Sequence, residues 1–99
     1  MILTQEILEI LKQYTSAITS MDTKKELQEK TLNCKEITAY LSAKYGKEIT
    51  YKRVIRSMKH LLESEALLPN SQQIIGIIGA KKRKRYYYKN SIKIGRAHV

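Results

Sequence analysis

The chain has 99 residues, 42% hydrophobic and 28% charged, with a formal net charge of +10. This composition is ordinary for a globular protein and excludes wholesale disorder, while the length allows one domain with a modest core. No apolar run approaches the roughly 20 residues of a bilayer span, and the first residues, MILTQEILEILKQY, lack the basic leader of a signal peptide. The single cysteine, Cys34, excludes an internal disulfide. It fits a reducing compartment, so we expect a cytoplasmic protein.

The positive charge is concentrated in the last third of the chain. Residues 1–33 carry four Lys and five acids (−1), residues 34–69 seven Lys or Arg and four acids (+3), and residues 70–99 eight Lys or Arg and no acid (+8). This asymmetry is typical of a protein that binds a polyanion, most often nucleic acid. An anionic membrane is the rival, but a membrane-surface helix needs bulky apolar residues facing a basic stripe, whereas the basic end here is strand-like. We therefore expect the protein to bind nucleic acid and not a membrane.

Apolar residues recur at helical spacing near the N-terminus, which predicts a first helix from Leu3 to Ile18. Thr4 is the predicted N-cap of this helix. Ile2 and Leu8 lie partly off the apolar stripe, so they either widen the core face or contact a second subunit.

Two further helices are predicted before residue 46. Asp22 is the predicted cap of a short helix that ends at Lys30. The segment NCKEITAYLSAKYG has Asn33 as its N-cap and Glu36 three residues later, the spacing of a capping box. Gly46 supplies the residue with positive φ that ends this helix.

The segment YKRVIRSMKHLLESEALL, preceded by Thr50 as N-cap, has the clearest helical period of the chain. Its apolar face is predicted to hold Tyr51, Val54, Ile55, Met58, Leu61 and Leu62. Its opposite face is basic and holds Lys52, Arg53, Arg56, Lys59 and His60. Pro69 cannot continue the helix and marks its end.

Two strand-like runs, QQIIGIIG and RYYYK, flank the basic sequence KKRKR, which predicts a β-hairpin. With a turn centred near Lys82, Ile78 lies opposite Tyr86 and Gly76 lies opposite Tyr88, an aromatic residue that covers a strand glycine. The predicted fold class is α+β, mostly α, with three to four helices and a C-terminal hairpin. KKRKR also resembles a nuclear-localisation signal, although such signals usually lie in flexible segments.

Residues 33–69, NCKEITAYLSAKYGKEITYKRVIRSMKHLLESEALLP, resemble the helix-turn-helix core of winged-helix DNA-binding proteins. In that family a scaffold helix ending near glycine leads through a turn into a recognition helix, which ends at a leucine-x-leucine segment before the wing. Ile37 and Leu41 match the scaffold positions, and Ser64–Leu68 matches the exit. The buried side of the recognition helix is matched by Val54, Ile55, Met58, Leu61 and Leu62. The chain departs from the pattern where many members have glycine, since it has Glu65 or Ala66 there.

The resemblance covers roughly residues 3–90 and implies a winged-helix DNA-binding domain over residues 1–91. Residues 92–99 would then form a short basic tail, for which disorder and a cloning remnant remain open alternatives. In its lysine- and isoleucine-rich composition the chain also looks like winged-helix proteins of archaeal viruses, which would place it in the host cytoplasm. Because winged-helix proteins often bind DNA as two-fold dimers, we predict a homodimer through the first helix.

The resemblance implies a sequence-specific double-stranded DNA-binding protein, a transcriptional regulator. A recognition helix points its N-terminal residues at base edges in the major groove, and arginine can bind guanine in bidentate fashion. Cations on the hairpin would lie on the phosphate backbone or in the adjoining minor groove. The candidate contact residues are Tyr51, Lys52, Arg53, Arg56, Ser57, His60, Lys81, Lys82, Arg83, Lys84 and Arg85.

The sequence contains no catalytic or metal-binding pattern, so we expect no enzyme activity, cofactor or small-molecule ligand. His60 and His98 are far apart, and Cys34 lies on an apolar helix face, where burial is commoner than reactivity. Two other functions remain open: RNA binding, with tyrosines stacked on unpaired bases, and a protein-interaction module whose basic arm meets an acidic partner. The basic helix face is also explained as an ordinary solvated surface, and the tyrosines as core or cross-strand packing.

Overall fold

A computed structural model describes residues 2–15, 18–19 and 21–89. Four helices precede a two-stranded antiparallel sheet, which confirms the mostly helical α+β class. The helices are α1 (Leu3–Tyr14), α2 (Lys24–Lys30), α3 (Cys34–Tyr45) and α4 (Tyr51–Ala66), and the strands are β1 (Ile75–Ile78) and β2 (Arg85–Tyr88). The predicted tail, residues 92–99, lies outside the described residues.

One apolar core joins α1, α3, α4 and the hairpin. Each fully buried aliphatic side chain in it contributes about 1.5–3 kcal/mol of burial free energy. α2 has no buried residue, so its end contacts hold it rather than core packing. The core residues are Ile7, Ile10, Leu11, Leu32, Ile37, Leu41, Ile49, Val54, Met58, Ile75 and Tyr86.

Both predicted ends of α3 and the predicted start of α4 are confirmed, whereas α4 ends at Ala66, two residues before the predicted end. The Asn33 side chain accepts the N–H of Glu36 at 2.8 Å, and the Glu36 carboxylate accepts the N–H of Asn33 at 2.9 Å. Gly46 ends α3 with φ 103°, and the Thr50 hydroxyl accepts the N–H of Arg53 at 3.2 Å. Such N-caps each stabilise a helix by about 1 kcal/mol. Gly46 and Thr50 thus fix the two ends of the link between α3 and α4.

α1 is shorter than predicted, because it ends at Tyr14 and not at Ile18. The cause is Thr15, whose backbone is extended and whose hydroxyl donates to the carbonyl of Leu11 at 2.6 Å. The same hydroxyl accepts the N–H of Tyr88 at 3.1 Å. A contact with the hairpin therefore ends the helix where the apolar period alone would continue it.

The predicted N-caps of the first two helices were wrong. α1 begins after Ile2, which offers no side-chain cap, and not after Thr4. α2 is capped by Thr23, whose hydroxyl accepts the N–H of Glu26 at 3.2 Å while the Glu26 carboxylate accepts the N–H of Thr23 at 3.0 Å. Asp22 instead forms an ion pair at 3.0 Å with the last residue of α2. A complete capping box one residue later satisfies two backbone groups rather than one.

The hairpin register differs from the prediction by one residue. Gly76 pairs with Tyr87 rather than Tyr88, and Ile78 does not pair with Tyr86. A slip of one residue exchanges the two faces of a strand. Tyr86 is therefore buried and Tyr88 packs against the core, while Tyr87 covers the glycine. A Cβ atom on residue 76 would overlap the Tyr87 ring, so the predicted aromatic cover exists with a different tyrosine.

A single backbone bridge fixes the hairpin against the segment before α3. The N–H of Leu32 donates to the carbonyl of Tyr86 at 3.0 Å, and the N–H of Tyr86 donates to the carbonyl of Leu32 at 2.7 Å. Tyr86 is 7% exposed and Leu32 is also 7% exposed, so the bridge lies at the edge of the core. β2 is thus paired on both sides, with β1 on one edge and Leu32 on the other.

Among the described residues, no helix has both the length and the apolar character needed to cross a membrane.

Candidate nucleic-acid interface

α4 presents a cationic face to solvent. Val54 and Met58 are buried on the opposite side of the helix and hold it against the core. Among the described residues, the four side chains of this face other than Arg53 form no hydrogen bond or ion pair with protein groups. Arg53 donates to the carbonyl of Glu48 at 2.8 Å and remains exposed. The exposed residues of this face are Lys52, Arg53, Arg56, Lys59 and His60.

Ile55 was predicted to lie on the buried face of α4, and this was wrong. Tyr51 was predicted both on the apolar face and as a contact residue, and its exposure agrees with the second alternative. Tyr51 is 44% exposed and Ile55 is 42% exposed. The buried stripe of the helix is narrower than its apolar stripe, because the hairpin leaves a groove beside α4. Ser57, another candidate contact residue, is only partly exposed.

The loop between β1 and β2 carries four exposed cations, which we call the loop cations. Gly79 has φ 87° and Lys81 has φ 54°, so the loop uses two left-handed residues around a short 3₁₀ turn. A side chain on residue 79 would collide with the carbonyl oxygen of Arg83, which explains the glycine. Within the described part of the chain none of the four ammonium or guanidinium groups has a protein partner. The loop cations are Lys81, Lys82, Arg83 and Lys84.

Arg85, the fifth cation of the run, is directed differently. Its Nε donates to the Thr31 hydroxyl at 2.9 Å, and its Nη2 donates to the Thr31 carbonyl at 2.8 Å and the Gln28 carbonyl at 3.0 Å. The same Nη2 forms an ion pair at 2.6 Å with the Glu36 carboxylate that caps α3. Its guanidinium is therefore engaged by protein groups, unlike the loop cations, and could bind a phosphate only by giving up these bonds.

Glu65, one of the two positions where the winged-helix pattern often has glycine, links the end of α4 to the hairpin. Its carboxylate accepts the N–H of Ile74 at 2.6 Å and the N–H of Ile75 at 3.1 Å. These are the first backbone amides of the hairpin, so the end of α4 holds the start of β1. The sequence signal was present as a departure from the family pattern, but its partner is nine residues away and could not be read from spacing.

α4 and the loop cations border the same groove, which we call the cationic groove. Its α4 wall carries one cation, Lys59, and one acid, Glu63, and its other wall includes three of the loop cations. The remaining α4 residues of the wall are Tyr51, Ile55, Met58, Leu62 and Ala66. The start of α3 and the buried Tyr86 lie at its base. Arg85 lines a separate depression with Gln28, Thr31 and Glu36. The three loop cations in the cationic groove are Lys81, Lys82 and Lys84.

Two titratable groups at the base of the cationic groove are un-ionised at neutral pH. Burial is the main cause that raises the pKa of the Cys34 thiol. Burial is also the main cause that raises the pKa of the Tyr86 hydroxyl, with the neighbouring Cys34 adding to it. Neither group therefore offsets the positive charge of the groove or offers a reactive thiolate. In the described residues no group of three His, Cys, Asp or Glu side chains could hold a metal ion.

No protein-family model matches the chain, and neither the curated proteins nor the solved structures contain a match.

Proposed function

We propose that this protein is a winged-helix DNA-binding protein and a sequence-specific transcriptional regulator. α4 would enter the major groove, and the loop cations would bind the adjacent phosphate backbone or minor groove. The observation that carries the proposal is that Lys59 of α4 and three loop cations line one groove. Two cationic elements on one side of a molecule can bind one polyanion together.

The arrangement of elements supports the winged-helix part of the proposal. α3 ends at Gly46, a short link leads to the N-cap of α4 at Thr50, and the hairpin follows α4. The bridge between Leu32 and Tyr86 places the hairpin beside the start of α3. A recognition helix needs such a scaffold helix behind it and a wing beside it.

The charges of the site support a nucleic acid over an acidic protein surface. Lys52, Arg56 and Lys59 recur along α4 and form no ion pair with an acid among the described residues. Cations with no internal partner release condensed counterions when they bind phosphates, so their mutual repulsion becomes binding free energy. Arg56 can also bind guanine O6 and N7, which discriminates between bases by about 1–3 kcal/mol.

Selection of bound fragments from random duplex DNA tests this proposal. We expect a defined consensus, and we expect Lys52→Gln with Arg56→Gln to reduce the preference for that consensus over random duplex by about 10-fold or more. The matched control is Lys24→Gln with Lys25→Gln, which removes two exposed cations from α2. If single-stranded RNA competes better than duplex DNA, or if both double variants behave alike, the proposal is wrong.

The predicted homodimer remains a prediction, and the structure narrows its possible interface. Leu8 packs against the core, so of the two off-stripe residues only Ile2 is largely exposed, at 59%. A dimer through α1 would therefore be centred on Ile2. Sedimentation of the wild type and of Ile2→Asp with and without DNA measures it, and a palindromic consensus would agree with a two-fold dimer.

A further inference from the structure

The α4 wall of the cationic groove contains an apolar pair. Tyr51 and Ile55 are one turn apart, so their side chains are neighbours on the helix surface. Single exposed apolar residues are common on protein surfaces and need no explanation. These two differ because they are adjacent and continue into Met58 and Leu62, which also line the groove. The wall is thus an apolar strip flanked by Lys59 and Glu63 and faced by the loop cations.

Ile55 lies at the edge of the cationic face of α4, between that face and the buried Met58. Lys52 is three residues before it, Arg56 follows it, and Lys59 is four residues after it. Lys52 and Lys59 are therefore its neighbours along the helix surface. If these cations bind phosphates or base edges, the Ile55 side chain is held in the major groove beside them, on the side of α4 nearest the hairpin.

The major groove offers one apolar group to such a side chain. Guanine, cytosine and adenine present donors and acceptors there, whereas thymine adds a C5-methyl group. Ile55 has no polar atom, so facing polar base edges would desolvate them without replacing their hydrogen bonds. Facing a methyl group, it would bury apolar surface on both sides.

We infer, on the basis of the proposed function, that Ile55 is a specificity-determining residue that reads a thymine methyl group. The thymine belongs to the side of the site nearest the hairpin, because Ile55 faces the groove that three loop cations border. Tyr51 is the poorer candidate for this role, because its hydroxyl can donate to a phosphate. Removal of one buried methyl group should weaken binding about fourfold.

Replacement of thymine by deoxyuridine tests the inference, because it deletes only the 5-methyl group. The selected duplex is prepared with each thymine replaced in turn, and the dissociation constant of the full chain is measured. We expect a loss of about fourfold at one position or two adjacent positions, and little change elsewhere. With Ile55→Ala the same duplexes should differ by less than about 1.5-fold, since the partner of the methyl group is gone.

Two further variants separate a structural effect from a lost contact. Ile55→Val keeps a branched side chain and should retain most of the methyl dependence. Leu67→Ala removes an apolar side chain that is 87% exposed at the end of α4 and lies outside the cationic groove. This variant should therefore retain the full methyl dependence. Circular dichroism confirms that the variants fold, and alanine at residue 55 favours the helix.

The outcomes distinguish this inference from the proposed function. A consensus without thymine, or deoxyuridine effects that are the same in wild type and Ile55→Ala, overturns the inference while duplex binding stands. Failure to enrich any duplex overturns the proposed function and the inference with it.

Discussion

The five consecutive cations at residues 81–85 divide into two regions with opposite surroundings. Lys81 to Lys84 are exposed and have no protein partner in the described structure, whereas the Arg85 side chain is 19% exposed and makes four hydrogen bonds. The difference arises from strand geometry, because Arg85 is the first residue of β2 and lies within reach of the end of α2 and the start of α3. Adjacent residues of the same charge can therefore differ in role: Arg85 stabilises the fold, whereas the loop cations remain exposed to solvent.

The two regions differ in how much binding free energy their cations could gain from a phosphate. A cation whose donors are already satisfied gains little from a phosphate, because it must first give up its internal bonds. A cation held in water beside others of the same sign gains the most, because a polyanion relieves the repulsion. Variants of each region should therefore change different quantities.

The largest effect is expected from the loop. Replacing Lys81, Lys82 and Lys84 by glutamine should weaken duplex binding on the order of 10²-fold near 0.1 M salt, and should reduce the salt slope of log K by about 2.7. The free energy of unfolding should change by less than about 0.5 kcal/mol, because no internal contact is lost. Fluorescence anisotropy at several salt concentrations measures the affinity for duplex DNA and the salt slope. An unchanged slope would contradict the contact with phosphate.

Arg85→Met should produce the reverse pattern. It removes the donors to Thr31, Gln28 and Glu36 and should lower the free energy of unfolding by about 2 kcal/mol, measured by urea denaturation. Most of that loss comes from the carbonyls, since the Glu36 side chain is 45% exposed and its ion pair is screened by water. Arg83→Met is the control, and it should unfold like the wild type. Equal stabilities of the two variants would remove the distinction between the two regions.

A smaller loss of stability is expected at the other contact that holds the hairpin. Glu65→Ala leaves the amides of Ile74 and Ile75 without their acceptor and should cost about 1–2 kcal/mol. Hydrogen exchange at those two amides should accelerate more than elsewhere in the hairpin. Glu63→Ala changes an exposed glutamate of the same helix and should leave both readings unchanged. Slow exchange in Glu65→Ala would mean that other groups hold the start of β1.

The smallest effect concerns a charged contact between α1 and the end of α3. The Tyr45 hydroxyl donates to Glu6 at 2.7 Å and, together with the Lys44 ammonium, holds the pKa of Glu6 below its ordinary value of 4.5. This contribution to stability is present above that pH and is lost as the pH falls through the lower, folded-state pKa. Glu6→Gln and Tyr45→Phe should both flatten the acid side of the stability profile. Profiles parallel to that of the wild type would show that the contact does not persist in solution.

Local features of the sequence predicted the parts of the fold that depend on neighbouring residues. The caps of α3 and α4 are examples, because Asn33 and Glu36 are three residues apart and Thr50 precedes its helix directly. The exposure of Arg56 and the loop cations also agrees with the pattern. What spacing could not supply were contacts between distant segments: the end of α1 at Thr15, the register of the hairpin, and the inward direction of Arg85. The first and the last depend on partners 49 to 73 positions away, and the register depends on which tyrosines the core and Gly76 accept.

The backbone bridge between Leu32 and Tyr86 has a consequence for how this molecule could be divided. A fragment that ended after α4 would leave the amide and carbonyl of Leu32 without their hydrogen-bond partners. It would also lack Tyr86, which is part of the core. The hairpin therefore belongs to the same core as α1, α3 and α4, and its loss should destabilise these helices. Deletion of the hairpin should therefore be detected first as a loss of stability.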